Sequence, residues 1–300
     1  MDGLIILNKP LNISSHDAVF KVKKLLKEKK VGHTGTLDPL ASGVLIICIG
    51  QATKLSQYLM SDTKEYRAKI MLGKSTTTYD LEGEIVDEVE NVNVTEKAID
   101  ETIKSFIGKS MQVPPIYSAL KKDGKKLYEY ALKGIEVEIE QREIEVFDAK
   151  RTSDIDYIDG KLLFDADFRV SKGTYIRTLA NDFGKKINVP SVLAGLVRTE
   201  NSGFHLKESN TLEQIETGDF KLVSMIEATN NIFTINDSNS ISKARNGMKI
   251  SYRYIKETYN DTPSIIRVID LMNSKLVAIY KLEYSQELNT KYYKADTVWN

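Results

Sequence analysis

Apolar and polar positions follow distinct periods along this chain, and the period changes every ten to twenty residues. GLIILNKP, from Gly3 to Pro10, has four consecutive apolar residues and reads as a buried strand ended by proline. SSHDAVFKVKKLLKEKK then takes helical period, with Val19, Val22, Leu25 and Leu26 on one face. Ser14 and Asp17 have the spacing of a capping box at its start. After the loop GHTGTLDPLASG, from Gly32 to Gly43, VLIICIG reads as a second buried strand, and QATKLSQYLM, residues 51–60, as a short helix. KEYRAKIMLGK puts Tyr66, Ala68, Ile70 and Leu72 on one face of a half-buried strand.

TEKAIDETIKSFIG predicts a helix with Ile99, Ile103 and Phe106 inward and Gly108 closing it. KKLYEYALKG predicts another, stopped at Gly134. IEVEIEQREIEVFDAK alternates regularly, which predicts an antiparallel strand over residues 135–150. KLLFDADFRVSKGT alternates again behind an Asp159-Gly160 turn, and YIRTLANDFGKK returns to helical period. Helices mixed with adjacent alternating strands predict an α+β fold with a largely antiparallel sheet. ATNNIFTINDSNS, residues 228–240, reads as a linker of Asn, Ser and Thr. Beyond it SIIRVIDLMN, KLVAIYKLEY and KYYKADTVW read as short strands with a hairpin at Asn273-Ser274. The expected organisation is a first domain over 1–230 and a small β-rich one over 231–300.

Composition adds exclusions. The chain has 300 residues, 41% hydrophobic and 28% charged, ordinary for a soluble globular protein. No apolar run approaches the roughly 20 residues that span a membrane, and no basic region precedes the first apolar run, so a secretory signal is not expected. The single cysteine, Cys48, lies in an apolar run and excludes intramolecular disulfides, which fits a cytoplasmic location. Three scattered histidines, His16, His33 and His205, argue against a structural metal site. Formal net charge is zero, a weak argument against a nucleic-acid partner, yet the charge is segregated. Residues 1–60 hold eight Lys and four acids, residues 108–134 six Lys and two acids, and residues 80–101 nine acids and one Lys. Both solvated surface charge and steering of a polyanion fit that pattern.

Phosphate-loop, dinucleotide, zinc-helix and nucleophile-elbow motifs are absent, so no cofactor or metal is implied. Four segments carry candidate chemistry. GHTGTLDPLASG presents the lone carboxylate Asp38 five residues after His33. KEYRAKI holds Tyr66, which core packing alone also explains. QVPPIYSALKKDGKKLYEYA interleaves Tyr117, Tyr128 and Tyr130 with four lysines, either an ordinary loop and helix or a surface for phosphates and bases. RVSKGTYIRTLA places Tyr175 and Arg177 where a strand turns into a helix. There Arg177 is either solvated or fixed beside a carboxylate, holding it ionised in one geometry.

GHTGTLDPLASGVLIICIGQATKLSQYL, KEYRAKIMLGKSTTTYDLEGEI, PPIYSALKKDGKKLYEYALKGIEVE and SKGTYIRTLANDFG resemble the TruB family of tRNA pseudouridine-55 synthases in sequence, order and spacing, over about residues 1–230. The resemblance implies a pseudouridine synthase-type catalytic domain, a small PUA-like RNA-binding domain at the C-terminus, and no cofactor. It implies isomerisation of one uridine in the T-arm loop of tRNA, by a standalone enzyme without guide RNA, expected to act as a monomer. By resemblance Asp38 is the catalytic aspartate and Arg177 its partner, and Tyr66 stacks on the target base. His33 enters the RNA loop where the base had been, and Tyr175 and Leu196 are further pocket residues. One carboxylate suffices for such a reaction, because the leaving base is also the returning nucleophile and no water is activated, unlike glycoside hydrolysis. Asp38 would either attack the sugar carbon or take a ribose proton. A base in an RNA loop must be flipped into a pocket first. The chain departs from the family pattern at Asn8, Asn12, Thr77 and in LVRT, which bears on RNA contacts but removes no catalytic group. A dyskerin-type, guide-dependent synthase and an RNA chaperone without activity are the rival readings.

Overall fold

The structure is a computed structural model that describes residues 1–59, 63–287 and 289–299. A large sheet forms the first two-thirds of the chain. Its strands run in the order Gly3–Lys9, Ala41–Ile49, Ser191–Asn201, Thr63–Leu72, Lys161–Ser171, Arg142–Arg151 and Gly108–Gln112. Neighbours along this path are antiparallel except Ala41–Ile49 with Ser191–Asn201, which run parallel. The first two strands are apolar without a break because both faces of the sheet are covered. Ile5, Leu7, Leu45 and Ile47 face one cluster, beneath helices Ser15–Leu26 and Ile176–Ile187. Leu4, Ile6, Val44, Ile46 and Cys48 face the other.

That second cluster also takes in Ile232, Ile269, Leu276, Ile279 and Trp299 from the C-terminal part of the chain. A five-stranded sheet there has the order Phe233–Ile235, Ile265–Asp270, Lys275–Ser285, Thr290–Val298, Ile250–Ser251, and it packs a third cluster of its own. It docks on the turn after Ala41–Ile49. The Trp299 indole donates to Gln51 O at 3.1 Å, Lys54 Nζ to Val298 O at 3.1 Å, and Tyr58 Oη meets Asp296 and lies 2.7 Å from Thr297 Oγ1. The mixed, antiparallel-dominated architecture with a separate C-terminal β sheet agrees with the expected α+β class and its PUA-like second part.

Several local expectations change. The stretch from Gly32 to Gly43 is not one loop: Val31–Thr34 is a strand paired with Ala41–Ile49, leaving a loop of residues 35–40. Residues 50–55 form a 3₁₀ turn rather than a regular helix, and Met60 lies outside the described residues. The helix at Glu96–Lys104 ends at Ser105, and Gly108 instead begins the edge strand. The alternating run at 135–150 forms a strand only over Arg142–Arg151, because the sheet ends at Gly108–Gln112 and offers residues 135–141 no partner. The linker over 228–240 is structured: Phe233–Ile235 is a strand, and Asp237 caps a helix over Ser238–Arg245.

Candidate active site

The Asp38 loop is held at every carbonyl from residue 35 to residue 39. Arg198 donates from Nη2 to Gly35 O at 2.9 Å and from Nη1 to Thr36 O at 3.4 Å. Ser15 Oγ donates to Leu37 O at 3.0 Å and accepts from Leu37 N at 2.8 Å. Ala41 N donates to Asp38 O at 3.0 Å, and Asn12 N to Pro39 O at 2.9 Å, with Lys9 Nζ 3.5 Å from the same oxygen. Arg198 and Lys9 are wholly buried. Lys9 Nζ also donates to Pro10 O at 2.9 Å and Ile13 O at 2.7 Å. Burial pushes the Lys9 ammonium down to about 8, opposed by nearby Asp38 and assisted by Arg198. Gly43 permits the close parallel pairing with Arg198: its φ is +101°, and a Cβ there would sit 2.3 Å from Arg198 O.

Arg177 opens the helix Ile176–Ile187 and is buried. Behind it, Nη1 reaches Thr78 O at 3.2 Å and Asp80 Oδ2 at 3.3 Å, and Nη2 donates to Tyr117 O at 2.9 Å. In front, Nε lies 3.0 Å from Asp38 Oδ2. That contact is a close ion pair rather than an aligned hydrogen bond, since the Nε–H does not point along it. Asp80 is 9% exposed at its side chain and Asp38 45%, so Asp80 anchors the guanidinium while Asp38 faces outward from it. Thr78 Oγ1 donates to Asp80 Oδ1 at 2.5 Å. Tyr175, the residue before the helix, is fixed on its backbone by buried Gln112: Tyr175 N donates to Oε1 at 2.8 Å, and Nε2 donates to Tyr175 O at 3.1 Å. Burial raises the Tyr175 phenol.

Asp38, Tyr66, Tyr175, Arg177 and Leu196 line one cavity of about 400 Å³. Tyr66 reaches it from the middle of Thr63–Leu72, 8% exposed and paired across the sheet with Phe168 and Arg198. Leu196 reaches it from the neighbouring strand. His33 does not line this cavity. It lies half-buried on Val31–Thr34 with Nδ1 unpartnered, and burial lowers its ring, with Arg198 and His16 adding to the effect. A second cavity of about 290 Å³ lies on the other side of the Asp38–Arg177 pair, with Leu11, Leu40, Leu81 and Leu193 in its wall. The lysine-rich segment forms a two-stranded hairpin, Lys121–Lys122 with Lys125–Lys126, turned at Asp123-Gly124 with both φ positive. Tyr117 joins the site only through its carbonyl, while Tyr130 Oη donates to Lys122 O at 3.1 Å within the segment.

Sequence reasoning missed the residues that build the site from behind: Lys9, Ser15, Asp80, Gln112 and Arg198. Only Lys9 left a local signal, a lysine closing an apolar strand just before proline. Among the described residues no cluster of His, Cys, Asp or Glu could hold a metal ion.

The site thus brings one half-exposed carboxylate on a tightly held loop, a buried arginine and two tyrosines to a single cavity. Residues 23–176 match the N-terminal domain of the TruB family pseudouridylate synthases. The chain is 41% identical over 290 residues to a tRNA pseudouridine synthase B of Staphylococcus saprophyticus, covering 93% of this chain and 94% of the relative. It is 46% identical over 256 residues to the protein of that name from Bacillus pumilus, covering 82% of each. Among solved structures, a chain of a Cbf5–Nop10–Gar1 complex superposes with a TM-score of 0.67 at 23% identity, over 99% of this chain and 84% of that one, a likeness of fold. The chain belongs to the TruB family of pseudouridylate synthases and is an isomerase of that class.

Proposed function

We propose that this enzyme isomerises the uridine at position 55 in the T-arm loop of tRNA to pseudouridine, acting alone in the cytoplasm as a monomer without a guide RNA. The observation that carries the reading is the Asp38–Arg177 pair on the wall of a cavity that Tyr66 also lines. The target nucleotide flips into that cavity, its base against Tyr66 with Tyr175 and Leu196 around it. Asp38 acts at the ribose as the bond from C1′ to N1 breaks. The base turns within the cavity, C1′ bonds to C5, the C5 proton leaves to solvent and N1 takes up a proton, so that no atom is added or lost overall. Arg177, anchored by Asp80, Thr78 and Tyr117, keeps Asp38 in one place through these steps. His33, off the cavity wall, is suited to fill the space the base vacates in the RNA. No step calls for a cofactor. Residues 1–230 form the catalytic domain and residues 231–300 a PUA-like RNA-binding domain.

The test is to incubate the purified protein alone with an unmodified tRNA transcript and map pseudouridines. One product at position 55 is expected. Modification only with added guide RNA, or binding without modification, would replace this reading by one of its rivals.

A further inference from the structure

We propose that the exposed face of helix Ser15–Leu26 that carries His16, Phe20, Lys24 and Lys27 is an RNA-contact track, receiving the substrate strand as it leaves the cavity past His33. The proposal rests on RNA being the substrate, and it names a contact surface outside the cavity.

The helix divides sharply. Ala18, Val19 and Val22 pack into the core, while His16, Phe20, Lys21, Lys23, Lys24 and Lys27 are exposed. Residues 16, 20 and 24 follow one another at helical spacing, so their side chains form a stripe along the helix of about 12 Å, and Lys27 caps the helix just beyond it. Phe20 is 63% exposed. A bare aromatic flanked by lysines has the composition of a surface that stacks or packs on a base or ribose while its cations meet phosphates.

Asp17 acts electrostatically on His16 and Lys21, but among the described residues no carboxylate forms an ion pair with Lys23, Lys24 or Lys27. Asp17 spends its carboxylate on the helix cap, accepting from Ser14 N at 3.0 Å and Ser14 Oγ at 2.6 Å. Glu28 pairs with the Met1 ammonium at 2.7 Å. Some exposed lysines elsewhere on the molecule do have a carboxylate partner, as Lys97 with Glu101, Lys109 with Glu143, Lys185 with Asp182 and Lys221 with Glu227. A helix face with several lysines outside any ion pair attracts a polyanion.

Position supplies the last element. The start of the helix is bonded to the catalytic loop through Ser15 and Leu37, and His16 is close enough to His33 for its charge to act there. The stripe therefore begins beside the loop that carries Asp38. A strand with one nucleotide in the cavity and its neighbours beside His33 meets His16 first, then Phe20, then the lysines.

The experiment measures binding of an unmodified tRNA transcript across a salt series, for wild type, Phe20→Ala, the pair Lys24→Gln with Lys27→Gln, and Lys97→Gln as a control. The lysine pair should flatten the log–log salt slope by about 1.4 to 1.8, at about 0.7 to 0.9 for each phosphate that no longer meets a cation. Phe20→Ala should weaken binding about fivefold to a hundredfold with the slope unchanged, the effect of removing one base stack. Both effects should be read in KM rather than kcat, and Lys97→Gln should match wild type. The substituted side chains are exposed, so folding is checked by an unchanged Tm. Variants with wild-type affinity and slope overturn the track while leaving the substrate assignment standing. A wild type that binds no RNA overturns both. A dimer of the wild type that Phe20→Ala dissociates, with RNA affinity unchanged, overturns the track in favour of a second copy of this chain.

Discussion

Arg177→Lys keeps the charge and removes the geometry. The arginine spreads its bonds over four groups, Thr78 O, Tyr117 O, Asp80 and Asp38, which lie on different sides of the guanidinium. A lysine ammonium is a single point with three donors and cannot reach both edges. Removing one partner of a buried ion pair altogether is worth about 3–5 kcal/mol. Lysine leaves Asp80 a counter-charge, so the destabilisation comes mainly from the unmet carbonyls and the poorer pair, about 2–4 kcal/mol in sum. At about 2–4 °C per kcal/mol, Tm should fall by roughly 5–15 °C. Asp38 is half exposed and contributes little of this, since its pairing is screened. The catalytic loss is separate and larger: a carboxylate displaced by about 1 Å is worth a factor of about 10² in rate. Single-turnover release of tritium from C5 of the target uridine, run at a temperature where the variant is folded, measures it, and filter binding measures affinity. Release within threefold of wild type by a folded variant would refute the role assigned to the pair. Equal losses in binding and rate would move Arg177 into substrate binding.

Three further outcomes follow from the same geometry. Asp38→Asn should release tritium at about 10⁻³ of the wild-type rate or less, with unchanged affinity and Tm, because the loop is held by backbone bonds that the side chain does not make; release above a tenth of wild type refutes the catalytic assignment. Lys9 is pushed from an ordinary 10.5 to about 8 in the folded chain, so between those values the unfolded state binds more protons and stability rises with pH. The gain is up to about 3 kcal/mol, it is absent below pH 8, and it should vanish in Lys9→Met; identical pH profiles of urea unfolding for the two proteins would contradict the buried charge. A chain cut after residue 230 should bind a hydrophobic dye and aggregate, since Ile269, Leu276, Ile279 and Trp299 leave the second core, and Trp299→Ala in the full chain should lose about 3–5 kcal/mol; a truncated chain with a sharp, near-normal melting transition would show that the two parts fold independently.

Periodicity located the strands that have partners on both sides. Tyr66, Ala68, Ile70 and Leu72 alternate in the sequence and are all buried in the sheet. The same signal misled at Val137 and Ile139, because alternation reports an amphipathic segment and not the presence of a neighbouring strand. Helices Ser238–Arg245 and Tyr252–Tyr259 went unread for two reasons. The first is dominated by Ser and Asn, which also mark loops, and the second by aromatics, which also mark strands. At the site, Asp38, Tyr66, Tyr175, Arg177 and Leu196 were legible through family resemblance, and the structure brings them to one cavity. Ser15, Asp80, Gln112 and Arg198 were not, because each acts through backbone or ion-pair contacts with segments far away in sequence. Ser15 meets Leu37, and Arg198 reaches Gly35 and Val44. No local pattern encodes such a pairing.

The second core joins the earliest strands to residues 269–299. On a translating ribosome, Leu4, Ile6, Val44 and Ile46 emerge first, and the segment that covers them follows roughly 200 residues later. At about 5–20 residues per second the delay is on the order of 10–40 s. Until then that apolar face lacks the part of its cover that Ile269, Leu276, Ile279 and Trp299 supply. Slowed elongation in the last third of the message should therefore reduce soluble yield without altering the activity of molecules that finish folding.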